Sequence, residues 1–190
     1  MRPNLHGPAL GALLFVLAAG ARAQDRPQTT PTRDVDITYR VTRAGQTLQE
    51  RTRWLAAEEK ERVEPPGAEE SYVLIDRRAH LMEVVNTQSR TVLDMPTPTA
   101  DPLSPGPQAR FTRIGEDTVA GLGCTEWQSA VGTLPRTSLC LTADGVLLRL
   151  RSGTSTLAEA IAVQYAPADD AAFRIPADYH HESAPGPEPR

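Results

Sequence analysis

The sequence is short of positive charge, of aromatic residues and of cysteine, and each shortage excludes something. Lys+Arg number 20 against 24 Asp+Glu, for a formal charge of -4. A broad nucleic-acid-binding surface needs clustered cations, so that class is excluded. Aromatic residues make up only 5% of the chain, so each large ring is an anchor worth placing. The two cysteines, Cys124 and Cys140, are not a Cys-x-x-Cys pair, and no histidine stands near either in sequence. That spacing argues against a redox or metal pair. No Gly-x-Ser-x-Gly elbow and no phosphate-binding glycine loop occurs. After the first two dozen residues, no apolar run approaches the length that crosses a bilayer. The length of 190 residues suits one ordinary domain.

What is present begins with a targeting pattern. Arg2 precedes the apolar run Ala9 to Gly20, and Ala21-Arg22-Ala23 follows. A basic start, a short apolar run and Ala-x-Ala describe a cleavable secretory signal over residues 1–23. Its removal would leave 167 residues and, with Arg2 and Arg22 gone, a charge of -6. Residues 24–33 are polar and Pro-containing and read as a flexible leader. Residues 34–181 read as a single β domain, and 182–190 as a disordered Pro-rich tail.

Inside the domain the period is two. Val35, Ile37, Tyr39 and Val41 alternate with polar residues, which predicts a half-buried strand. Ala44-Gly45-Gln46 reads as a turn. Trp54 to Glu64 is rich in helix formers, yet it lacks an N-cap and ends at Pro65-Pro66. The reading adopted is strand, turn near Glu58-Glu59, strand. Tyr72–Asp76, Leu81–Val85 and Thr91–Met95 follow as short β-rich runs of a meander. Five prolines between residues 96 and 107 predict a loop or strap. Two strand-like runs from Phe111 are expected to part at Gly115-Glu116-Asp117. Ala143-Asp144-Gly145 predicts a hairpin turn with Gly145 left-handed. The alanines of Leu157 to Tyr165 leave helix open, but period two at its end favours a strand, and Asp169 to Ile175 reads as a helical turn seating Phe173.

In an exported chain Cys124 and Cys140 are expected to pair. A hairpin that opposes them directly would turn at Gly132, where Gly132-Thr133-Leu134-Pro135 offers a bend. Opposed strand residues lie within disulfide reach. Tyr39, Tyr72, Trp127, Tyr165 and Phe173 either fill a core or line an apolar cavity in a curved sheet. The acid pairs Glu58-Glu59, Glu69-Glu70 and Asp169-Asp170 are sequence neighbours and point apart on a strand, so they make no dyad. His180 and His181 read as exposed tail residues, and Arg77-Arg78 as a solvated turn. No catalytic, cofactor or metal residue is assigned.

The second half carries a resemblance. The order Gly115–Trp127 (GEDTVAGLGCTEW), Leu139–Leu150 (LCLTADGVLLRL), Val163–Pro167 (VQYAP) and Phe173–Tyr179 (FRIPADY) resembles uncharacterised exported bacterial proteins of the LolA/LppX-like lipoprotein-carrier fold. The resemblance implies a mainly β, strongly curved antiparallel sheet, a half barrel whose concave face can hold acyl chains without a cofactor. The sequence departs from true carriers in lacking clear amphipathic helices to plug the barrel. The expectation is a non-enzymatic periplasmic binding module for an apolar lipid or acyl ligand, soluble after signal cleavage. The alternative is an envelope structural or protein-interaction module with a filled core, using the Pro strap or a sheet edge.

Overall fold

The computed structural model describes residues 26–67, 70–97 and 108–184. The expected signal, residues 1–23, and most of the Pro-rich loop lie outside the described residues. The fold is mainly β, as the alternation implied. Twelve strands form one open, curved sheet in the order β12-β6-β5-β4-β3-β2-β1-β11-β10-β9-β8-β7. The strands are β1 Val35–Arg43, β2 Gln46–Leu55, β3 Lys60–Glu64, β4 Ser71–Asp76, β5 Leu81–Asn86 and β6 Thr91–Pro96. They continue as β7 Arg110–Val119, β8 Leu122–Ala130, β9 Thr137–Leu141, β10 Leu147–Ser152, β11 Ser155–Tyr165 and β12 His180–Ser183. The two halves of the meander meet where β1 pairs with β11.

Alternation decides which face each strand buries. On β1, Val35, Ile37, Tyr39 and Val41 are all buried, and their ladder partners on β2 are Trp54, Thr52, Glu50 and Leu48. With Leu139, Leu141, Val146, Leu148 and Leu150 they form the larger core. Phe111 and Trp127 pack edge to face within it, with ring centroids 6.5 Å apart. A second, smaller core lies on the other face of the meander: Tyr72, Leu74, Val85 and Val92, with Leu55 and Phe173. A 3-10 helix, Asp170–Phe173, seats Phe173 there, its Asp169 side chain accepting from the Ala171 amide. Asp34 ties the layers together. Its carboxylate accepts from Ala56 N at 2.8 Å and from Ala168 N at 3.0 Å.

The ambiguous Trp54–Glu64 stretch is strand, turn, strand. A 3-10 turn at Ala56–Glu58 ends on Glu59 in the left-handed region, φ 54°. Leu157 to Tyr165 is strand throughout.

Four expectations need correction. The chain does not part at Gly115–Asp117: β7 runs unbroken through it, with a bulge between Arg113 and Gly115. The reversal is at Ala120-Gly121, a two-residue loop with both φ positive, at 50° and 79°. The Ala44-Gly45 loop has the same form, with φ of 49° and 77°, as a type I′ hairpin requires. The cysteines are bonded, with Cα atoms 5.4 Å apart, but they are not opposed. Cys140 faces Glu126, and Leu141 faces Thr125, so the bond runs diagonally across the ladder.

The leader is seated from Arg26 onward. Thr32 N donates to Asp144 O at 2.9 Å, Pro31 is buried, and the Arg26 guanidinium lies 4.9 Å from the Phe111 ring centre. Finally, Glu182 and Ser183 are not tail residues. They belong to β12, which pairs parallel with β6, a single parallel pairing in an otherwise antiparallel sheet.

Candidate functional site

One face of the sheet carries an apolar strip with a cavity at its inner end. Directly opposed residues share a face, so the ladders can be read as rows. One row runs Ile37, Thr52, Val63, Val73, Val84, Leu93; the next runs Val35, Trp54, Glu61, Ile75, Met82, Met95. Both rows begin fully buried on β1 and become half-buried from Val63 and Ile75 outward, with Leu93 37% exposed. The inner end opens into a cavity of about 450 Å³. Its walls include Val41, Trp54, Val63, Val73, Ile75, Leu147, Leu150 and Leu157, and on one side the leader residues Thr29 and Pro31 beside Gly145.

The charged side chains of this cavity form two ion pairs. Arg43 donates to Glu50 Oε2 at 2.6 Å, and Arg77 to Glu61 Oε2 at 2.5 Å. The Arg77 guanidinium also lies 5.2 Å from the centre of the Trp54 ring. By sequence Arg77 belongs to a solvated turn; in the structure it is a cavity wall. Burial pushes the Glu50 carboxyl above its ordinary range, and the Arg43 charge offsets only part of that. The Tyr39 hydroxyl donates to Leu147 O at 2.6 Å. Burial, together with the negative charges of Glu61 and Glu50, pushes its ionisation far upward. It is a fixed neutral donor at any physiological pH. The cavity thus presents hydrocarbon, two ion pairs and the side chains of Thr29, Thr42 and Thr52.

The other face of the central strands is charged. Arg51 meets Asp36, Arg53 meets Glu64, and Arg149 meets Asp117, Glu126 at 3.0 Å and Glu159 at 3.6 Å. Burial opposes ionisation of Glu64, but its bonds to Arg62 and Arg53 prevail and lower its carboxyl. One face wet and ionic, the other apolar, is the arrangement an antiparallel sheet can support.

Of the five aromatic residues named as cavity lining, only Tyr39 lines this cavity. Trp127 is in the larger core against Phe111. Tyr72 and Phe173 are in the second core, with the Arg62 guanidinium 3.5 Å from the centre of the Tyr72 ring. Tyr165 packs at the margin of the larger core, under Arg33 and bonded to Asp144 at 3.1 Å. The residues that do line it, Trp54, Val73 and Ile75 beside Glu50 and Glu61, carried no sequence signal beyond alternation. His180 and His181, expected as exposed tail residues, sit on β12, where His181 Nδ1 is 3.0 Å from Asp94 Oδ2.

No protein family and no curated protein sequence matches the chain. Solved structures do. An uncharacterised conserved protein from Thermus thermophilus superposes with a TM-score of 0.57 at 17% identity, over 80% of this chain and 91% of that one. MucB superposes with a TM-score of 0.53 at 14% identity, over 80% of this chain and 61% of MucB. MucB in complex with MucA(peri) gives 0.51 at 12% identity, over 80% of this chain. PNGF-II matches at 0.52 and 13% identity, over 31% of its own length. The chain therefore spans about three fifths of MucB and a third of PNGF-II. At these identities the likeness establishes the fold: an open curved sheet shared with all three proteins. Among the described residues no helix is long and apolar enough to cross a membrane.

Proposed function

We propose that the protein is a non-enzymatic binding module of the bacterial envelope that holds an apolar, acyl-type ligand on its concave face. The observation that carries this is the cavity of about 450 Å³ continuing into half-exposed apolar rows across β3 to β6. Pockets for small apolar ligands are typically about 300–1,000 Å³. Burying methylene groups there contributes about 0.8 kcal/mol each. The self-neutralised pairs Arg43–Glu50 and Arg77–Glu61 favour a ligand without strong charge at the buried end. A disulfide and the signal-like N-terminus support an oxidising, exported location. The lipoprotein-carrier resemblance points the same way.

The test is binding of a fluorescent fatty-acyl probe to the protein purified from its own envelope, with native mass spectrometry for any co-purified ligand. Saturable binding is expected, reduced at least tenfold by Val73→Lys, a half-exposed wall position whose charge can reach water. Consistently ligand-free protein with no probe affinity overturns the proposal. A second reading is favoured by one observation: a neighbour of the same fold, MucB, has been solved with MucA(peri) bound. On that reading the concave face takes a protein segment, and in-cell cross-linking would give a specific protein adduct that Val73→Lys removes.

A further inference from the structure

We propose that Glu83, Asp94 and His181 bind one divalent transition-metal cation of the zinc class. The three residues come from adjacent strands. Glu83 and Asp94 are directly opposed on β5 and β6, so both carboxylates leave the same face. The parallel pairing of β12 with β6 brings His181 to the same place, Nδ1 3.0 Å from Asp94 Oδ2. One donor atom from each residue lies within 4.8 Å of the other two. A tetrahedral ion with bonds of about 2.0–2.2 Å spaces its donors about 3.3–3.6 Å apart. Side-chain rotations of about an ångström would therefore close the set.

The donor chemistry selects the ion. One imidazole nitrogen with two carboxylates, and a fourth position open to water, suits zinc and its neighbours. Calcium and magnesium prefer all-oxygen sets, which water completes for magnesium, so the imidazole nitrogen is what favours zinc. A second observation is electrostatic. Like charges directly opposed in a ladder repel. Elsewhere on the sheet carboxylates such as Asp36, Glu64 and Glu126 meet arginine. Glu83 is half-buried and has no hydrogen-bond or ion-pair partner among the described residues. The chain's single lysine, Lys60, is engaged by Glu58 at 2.7 Å. A bound cation would neutralise the pair and fasten β12, a four-residue strand exposed at every position, to the sheet.

The test is calorimetric titration of metal-stripped protein with zinc chloride at neutral pH, with magnesium and calcium chloride as separate arms. The expected result is one zinc per chain, no comparable response to the other two, and at least a tenfold loss of affinity in both Asp94→Asn and His181→Ala. His180→Ala, the neighbour outside the cluster, should bind as the parent does. Zinc should also slow hydrogen exchange across His180–Ser183 in the parent and not in His181→Ala. Melting curves in chelator establish that each variant is folded. Absent or substoichiometric binding overturns the proposal, as does zinc affinity that survives His181→Ala or is lost in His180→Ala. Acyl binding uses the opposite face, so failure here leaves the proposed function standing.

Discussion

At the scale of a single residue, Gly145 couples a local turn to a contact more than a hundred residues away. Its φ of 90° lies in the left-handed region, where a side chain is strained. A Cβ built there would also fall 2.3 Å from Thr30 O. The leader therefore packs on bare backbone, held by Thr32 N to Asp144 O and by Arg33 over the Tyr165 ring. Gly153 is the natural control, because its φ is also positive, 56°, and a Cβ there meets nothing. Gly153→Ala should cost about 1–2 kcal/mol, the left-handed penalty alone. Gly145→Ala should cost about 1–3 kcal/mol more through the clash, or else displace the leader. In either case the Thr32 amide should lose exchange protection in Gly145→Ala and keep it in Gly153→Ala. Equal behaviour of the two variants would show that the leader does not rest on Gly145. The turn itself was legible as Ala143-Asp144-Gly145. Its partner was not, because nothing local in residues 24–33 marks where a polar, Pro-containing segment will dock.

At the scale of elements, the β8–β9 hairpin shows what patterning can and cannot specify. Cys124 and Cys140 are buried and bonded, as the exported context implied, but not in the directly opposed register expected of a turn at Gly132. Parity does not distinguish registers two residues apart, since a shift of two returns every side chain to the same face. The loop chemistry decides instead, and it places Cys140 opposite Glu126. β7 teaches the same lesson from the other side. Gly115-Glu116-Asp117 looked like a turn, but a glycine in a strand also suits a bulge, and that is where it sits. The true reversal uses Ala120, whose Cβ makes it an uncommon left-handed residue. The Tyr39 strand was legible from its period, and the Glu58-Glu59 turn only because a missing N-cap and Pro65-Pro66 outweighed the helix formers around it. For the disulfide, the consequence is energetic. It closes a loop of sixteen residues, worth about 3 kcal/mol in the chain-entropy account. Replacing both cysteines by alanine should lower the unfolding free energy by about 2–4 kcal/mol in a denaturant titration. A change below about 1 kcal/mol would mean that the unfolded chain is already restricted there.

At the scale of the whole molecule, the sheet has two cores on opposite faces, and they are unequal. The larger unites β1 and β2 with β7 to β11, while the smaller covers the back of β3 to β6 and depends on one inserted ring, Phe173. The cavity lies where the meander leaves the larger core, so its outer wall belongs to strands stabilised from behind by the smaller one. Such an arrangement predicts sub-global opening, because regions with fewer buried contacts open at lower free energy. Phe173→Ala should remove about 3–5 kcal/mol locally, the usual cost of emptying an aromatic site. Part of the local cost also comes from the 3-10 helix, where the Arg62 bond to Ala172 O anchors its end. Amide exchange in β4 to β6 should then accelerate strongly, while β9 to β11, packed around Leu139, Leu148 and Leu150, should change little. Uniform acceleration across all strands would show that the two cores unfold as one unit. Selective acceleration would mean that the outer wall of the cavity can loosen while its inner end holds. That is a route by which a ligand buried against Trp54 and Val73 could enter and leave a sheet whose larger core stays closed.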